Sequence, residues 1–212
     1  MHPASTLIAK PGTAGTPLAG TAYDGAMEKL RFAVIDVEST AGDPTEGRVM
    51  EVAIVVMDGM QERLRWDSLV HPGSRVPGFA KRLTGIDDAL LRGAPKFSGV
   101  VRTLQILTQD RIVVAHNVRF DMTALAHEFA RTGMVLERSS LCTERLSRRL
   151  IPGLEHYNLR SLCRHLGVAR EPEHRALADA EATANLLGIL LDRFGPDEVL
   201  ASVAPHVRAL RA

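Results

Sequence analysis

The chain has 212 residues with 26 lysines and arginines against 25 acids, a formal net charge of +1, and a hydrophobic fraction of 45%. That size suits one domain around one core, and a charge so near neutral excludes a general polyanion binder, leaving any nucleic-acid contact to local basic surface. No hydrophobic run approaches membrane-spanning length, and Cys142 and Cys163 lack CxxC spacing, which argues against a disulfide or zinc site and for reduced thiols in a cytoplasmic protein.

Residues 1–27 are rich in Ala, Gly, Thr and Pro and lack the basic-then-apolar order of a signal peptide. They are expected to form a flexible tail, with the folded domain spanning 28–212. The run from 31 to 38 reads as a buried strand. A second strand from 48 to 57, the Asp58-Gly59 turn and a third strand ending near Val70 complete an antiparallel meander. Pro72, Gly73, Pro77 and Gly78 break the sheet, and short helical pieces at 79–83 and 87–91 precede an amphipathic helix over 97–108. Ile112 to Ala115 is a short apolar strand followed at once by a helix opened by Asn117, and strand then helix implies a crossover and parallel pairing. A strand near 140–143, helices at 144–150 and 159–166, a long helix carrying Asp179 to about Phe194, and a last helix from Pro196 finish the chain. The expected fold is α/β, a mixed five-stranded sheet flanked by helices. Ligands in such sheets bind at the carboxyl ends of the parallel strands, the edge where Asp36 and Asp121 fall.

Three segments each deliver acid toward the interior. Asp36 and Glu38 share one face of the first strand. Asp121 aligns with Leu125 and Phe129, and Asp179 with Thr183, Leu186, Leu187 and Leu190, so both point along buried stripes. Lone buried carboxylates are costly, and oxygen-rich coordination of two Mg²⁺ or Mn²⁺ ions is the simplest compensation. Such a pair activates water for in-line attack on a phosphodiester. Asp36 is the expected bridge, with Glu38 and Asp179 completing one site and Asp121 supporting the other. His174 is the candidate general base: a regular helix would set it some 140° from Asp179, so it is placed on the preceding loop. Read singly, each piece has a bland alternative: Asp121 as a helix-dipole partner, Asn117 as a cap, His174 as a surface histidine. Glu51 is assigned a structural role at an outward or edge position. Seven arginines between Arg138 and Arg170, against Glu144 and Glu155, offer either a nucleic-acid surface or a solvated helix face.

In order and spacing, FAVIDVEST, VAHNVRFDMTAL and HRALADAEATANLL resemble the three motifs of DnaQ-like exonucleases of the DEDDh group, and LVHPGSRVPGFAKRLTGIDDALL resembles the connecting stretch. The resemblance, from about Arg31 to Phe194, implies a ribonuclease H-like fold and 3′-5′ hydrolysis of nucleic acid to nucleoside monophosphates. It makes Asp36, Glu38, Asp121 and Asp179 metal ligands and His174 the base. It sets Ser39, His116 and Asn117 beside the terminal nucleotide. Ala41 stands where many members carry glycine, a concern if that position needs positive φ.

Single-stranded DNA 3′ ends are the expected substrate, in proofreading or repair. RNA 3′-end trimming is the alternative within the group, and a non-catalytic partner-binding module the alternative outside it. Aromatics are only 4% of the chain, so Phe79 and Phe120 are the few nucleobase neighbours on offer, and both are expected in the core. Gln61, Gln105 and Gln109 read as strand or helix, so no clamp-docking motif is visible, and the expectation is activity without a DNA polymerase.

Overall fold

The computed structural model describes residues 29–169 and 175–205, together with the backbone of Leu7–Ala9. Strands β2 (Arg31–Ser39), β3 (Val49–Asp58) and β4 (Gln61–Leu69) form the expected meander, turning at Gly59. Helices α1 (Gly78–Thr84) and α2 (Phe97–Thr108) lead to β5 (Ile112–Ala115) and α3 (Val118–Arg131). Then come β6 (Ser140–Cys142), α4 (Thr143–Leu150), α5 (Leu159–Leu166) and α6 (Ala176–Leu200). Residues 87–91 form turns in place of a helix, because the Asp87 carboxylate accepts the Ala89 and Leu90 amides locally. A last helix begins at Pro196 as expected: Gly195, with a non-helical φ of 80° and ψ of 161° that suit glycine, breaks the chain there, and α6 names the two helices on either side of that kink together.

The five expected strands align in the order β4-β3-β2-β5-β6, with β2 parallel to β5 and β5 to β6. A sixth strand among the described residues, β1 (Leu7–Ala9), pairs antiparallel with β4 at the edge. It falls inside the segment 1–27 expected to be a flexible tail, whose other residues lie outside those described.

Alternation along the central strands sends their side chains to two cores. Phe32, Val34, Ala53, Val55 and Leu141 pack under α4, α5 and α6. Ala33, Ile35, Val52, Ile54 and Val113 pack under α2 and α3, where Phe97 meets Phe129 edge to face at 5.8 Å. Asp36 and Glu38 keep the parity of Phe32 and Val34, so the strand itself aims both carboxylates at the α6 side. Between Glu38 and Ser39 the register with β3 slips, Glu38 opposing Glu51 and Ser39 opposing Val49. Met50 is the extra residue, and it fills a small core with Ala80, Ile86 and Leu91 beneath α1.

Candidate metal centre and active site

β2 outruns its parallel neighbour. Its last registered pair with β5 is Val34 with Val114, so the backbone beyond lacks a partner strand on that side. The first turn of α3 fills the gap: the Val37 amide donates to Asp121 Oδ1 at 3.2 Å. From the other face α6 brings Asp179, buried one turn in, with its amide bonded to the Arg175 carbonyl. Carboxylate oxygens of Asp36, Glu38 and Asp179 all lie within 4.8 Å of one another. Asp121 is not in that trio, yet its charge acts on Asp36 more strongly than that of any other acid.

Burial and mutual repulsion raise the affinity of these acids for protons. Asp36 is held well above the usual carboxylate range by desolvation, then by Asp121, Glu38, Asp179 and Glu51. Desolvation, reinforced by Glu51, Asp179 and Asp121, pushes Glu38 up to about 8 against the lowering effect of Arg175. Asp121 rises to about 7 through burial, although its own amide and that of Val37 pull the other way. Acids gathered this closely are stable as anions only beside a cation, so the donor set fits hard divalent ions.

Glu51 departs from its expected outward or edge position. It sits on an internal strand, 1% exposed, and its structural role is an ion pair. Arg175 Nε donates to both Glu51 oxygens at 3.0 and 3.1 Å, Arg175 Nη2 adds a bond of 2.5 Å, and the Ala176 amide donates at 3.0 Å. The pair clamps the start of α6, and thus Asp179, to the strand opposite Glu38. Buried Glu128, unlike Glu51, is not singled out by the sequence: it receives Arg48 Nε at 2.7 Å and the Val49 amide at 3.3 Å, tying α3 to β3.

His174 lies outside the described residues. Ser39 is half-buried, and its Oγ faces the Ala41 amide at 3.4 Å. A Cβ at Gly47 would come within 2.1 Å of that Oγ, so only glycine lets the 40–48 loop fold against Ser39 as it stands. Ala41 is not among the positive-φ residues, so alanine meets no strain there. Asn117 is exposed with φ 70° and ψ 50°, a left-handed conformation that Asn tolerates, and its side chain caps nothing. His116 turns inward: Nε2 donates to the Tyr157 carbonyl at 2.9 Å and Nδ1 meets the Thr143 hydroxyl at 3.0 Å. Burial lowers its pKa, which favours the neutral ring that can accept from Thr143. Both nitrogens thus brace the β5–α3 turn against the starts of α4 and α5. Phe120 is half-buried, whereas Phe79, expected in the core, is 47% exposed on α1.

A mixed sheet of this order, with acids converging at the ends of its parallel strands, has the arrangement of a nuclease that works with divalent ions. Residues 33–187 match the RNase T exonuclease family, and the chain belongs to that DnaQ-like family. It is 34% identical over 163 residues to the DNA polymerase III subunit epsilon of Aquifex aeolicus, covering 76% of this chain and 80% of that protein. It is 33% identical over 169 residues to the 3′-5′ exonuclease DinG of Bacillus subtilis, covering 79% of this chain but 18% of DinG. Among solved structures, Exonuclease X in complex with 5′ overhanging duplex DNA superposes with a TM-score of 0.65 at 26% identity, covering 80% of this chain and 96% of that one. No helix among the described residues is long and apolar enough to cross a membrane.

Proposed function

We propose that this chain is a metal-dependent 3′-5′ exonuclease that releases nucleoside monophosphates from DNA 3′ ends. The observation that carries the reading is the convergence of Asp36, Glu38 and Asp179 within 4.8 Å, with Asp121 bonded to the intervening Val37 amide. Asp36, Glu38 and Asp179 would hold one Mg²⁺ or Mn²⁺, and Asp36 with Asp121 a second. Bound, such ions supply Lewis-acid stabilisation of the phosphoryl oxygens and lower the pKa of an attacking water.

The chain's own residues do the rest. His174, five residues before Asp179, takes the proton of the water that attacks the last phosphodiester. The P–O3′ bond breaks, and the shortened strand keeps its 3′ hydroxyl. Ser39 and exposed Asn117 orient the terminal nucleotide, while His116 holds Asn117 in its left-handed conformation from behind. The Glu51–Arg175 clamp fixes Asp179 without adding a free charge to the site.

DNA is favoured over RNA because Exonuclease X is seen in complex with DNA and the epsilon subunit belongs to a DNA polymerase, both matched over most of their length. Neither Cys142 nor Cys163 is held in a disulfide among the described residues, which supports work in a reducing compartment, the cytoplasm. A gel of 5′-labelled single strands with Mg²⁺, DNA beside RNA of the same sequence, tests the assignment. A ladder shortening from the 3′ end of DNA, absent in EDTA, is the expected result, and faster loss of RNA would move the substrate to the trimming class. The relation to the epsilon subunit raises a polymerase partner; we expect weak or no binding, and co-elution with a replicative polymerase in gel filtration would reverse that.

A further inference from the structure

A site lined by four acids repels the polyanion it must cut, so attraction for the strand has to come from elsewhere on the surface. β2, β5 and β6 run parallel and end at one edge of the sheet, with Ala115 in register with Cys142. The next residues there are His116 and Thr143, and they touch at 3.0 Å. α4 therefore starts at the acid edge. α5 starts there too, because the carbonyl of Tyr157, two residues before it, accepts from the same histidine.

These two helices, with their connection, carry five arginines against two glutamates over residues 143–166. Their apolar sides, Leu146 and Leu150 on α4 and Leu159, Leu162 and Cys163 on α5, pack toward α6 and leave the charged sides outward. Arg148 is paired with Glu144, and Arg149 with Glu198. Arg145, Arg160 and Arg164 are exposed and have no carboxylate partner among the described residues. Arg145 and Arg160 occupy the first turns of their helices, nearest the acids. Arg164 follows Arg160 by four residues, on the same face and about 6 Å further along. The connection is braced: the Tyr157 hydroxyl donates to the Ile151 carbonyl at 2.7 Å, and the Arg148 guanidinium lies 4.6 Å from the Tyr157 ring centre.

We propose that the outer face of α4 and α5, through Arg145, Arg160 and Arg164, is a phosphate-binding track that holds the strand upstream of the 3′ end placed in the acid site. The inference rests on the exonuclease reading. Guanidinium groups suit this use, since each presents a planar fork to a phosphate and stays charged at any working pH. The contacts are to the backbone, so the track serves DNA and RNA alike and supplies affinity and processivity without sequence preference.

The test is a triple variant, Arg145→Ala, Arg160→Ala and Arg164→Ala. All three side chains are exposed and alanine favours helix, so folding is expected to hold, and circular dichroism checks it. Binding of hydrolysis-resistant phosphorothioate strands, DNA and RNA, is measured across salt concentrations. For the loss of three phosphate contacts to a single strand, the slope of log affinity against log salt should fall by about 2. In the unsubstituted sequence the p-nitrophenyl ester of thymidine 5′-monophosphate should be hydrolysed, and at the same rate by the variant, because so small a substrate never reaches the track. An unchanged salt slope and strand affinity overturns the proposal. So does unchanged strand binding with lost binding of polyglutamate-type acidic peptide, which would make the face a protein-docking surface. Failure of both proteins to cleave the ester, with the salt slope still reduced, overturns the nuclease reading and leaves the track as a nucleic-acid surface.

Discussion

Replacing Asp121 with Asn removes one charge from the acid cluster while keeping an oxygen that can accept the Val37 amide at 3.2 Å. In the folded chain the Asp121 pKa is raised from 3.8 to about 7. A raised carboxyl works against the fold once it is ionised. Its cost is absent below about pH 4, where both folded and unfolded chains are protonated, and grows until the folded group has lost its proton near pH 7. Three units or so correspond to about 4 kcal/mol, the upper limit of what Asp121→Asn can restore to the metal-free protein at pH 8. For a chain of this length that is a rise in Tm of roughly 8 to 16 °C. Thermal unfolding in EDTA at pH 4 and pH 8 measures it: the variant should match the unsubstituted protein at the lower pH and exceed it at the higher. Excess Mg²⁺ at pH 8 should stabilise the unsubstituted protein and narrow the gap, since ions that bind only the folded form shift the equilibrium by mass action. A variant no more stable than the parent at pH 8 in EDTA, or a parent indifferent to Mg²⁺, would refute the account of the cluster as a strained, metal-seeking site.

Asp36→Ala and Asp179→Ala should each abolish Mg²⁺-dependent release of nucleotides while leaving the protein folded or slightly more heat-stable; normal turnover by either purified variant would remove the two-ion assignment. His174→Ala should lower turnover by about 10² to 10⁴ with Mg²⁺ affinity by calorimetry little changed, and loss of metal affinity would recast it as a ligand. Arg175→Ala leaves Glu51 charged and buried, so a loss of about 2 to 4 kcal/mol is expected in chemical denaturation, moderated because Arg175 is itself 38% exposed. Wild-type stability in that variant would show that the clamp is not structural.

The inward aim of the four candidate acids could be read from sequence because each sits on an element whose burial pattern is local. Asp36 and Glu38 follow the parity of β2, and Asp121 and Asp179 follow the stripes of α3 and α6, so two short-range periods were enough to aim all four inward. The ion pairs that support them follow no such period. Glu51 meets Arg175 across 124 residues, and Glu128 meets Arg48 across 80, so each charge looks misplaced until the chain has folded. β1 escaped notice for a related reason: three residues set among Ala, Gly, Thr and Pro show no alternation, and only the open edge of β4 gives them a partner. The bulge at Met50 is also a property of two strands together, since neither β2 nor β3 alone shows which has the extra residue.

The Glu51–Arg175 pair has a consequence for how such a sequence can drift. A buried acid and its guanidinium behave as a single locus: losing either partner leaves the other uncompensated, whereas exchanging both for apolar side chains of similar volume is often close to neutral. Relatives should therefore keep both or replace both, and a glutamate at position 51 facing a neutral residue at 175 should be rare unless another cation has moved in. The same logic separates this acid from its neighbours. Asp36, Glu38 and Asp121 crowd one another as like charges that a divalent ion would relieve, while Glu51 carries its own counter-charge, so selection on it should follow folding and persist even in descendants that have stopped cutting nucleic acid.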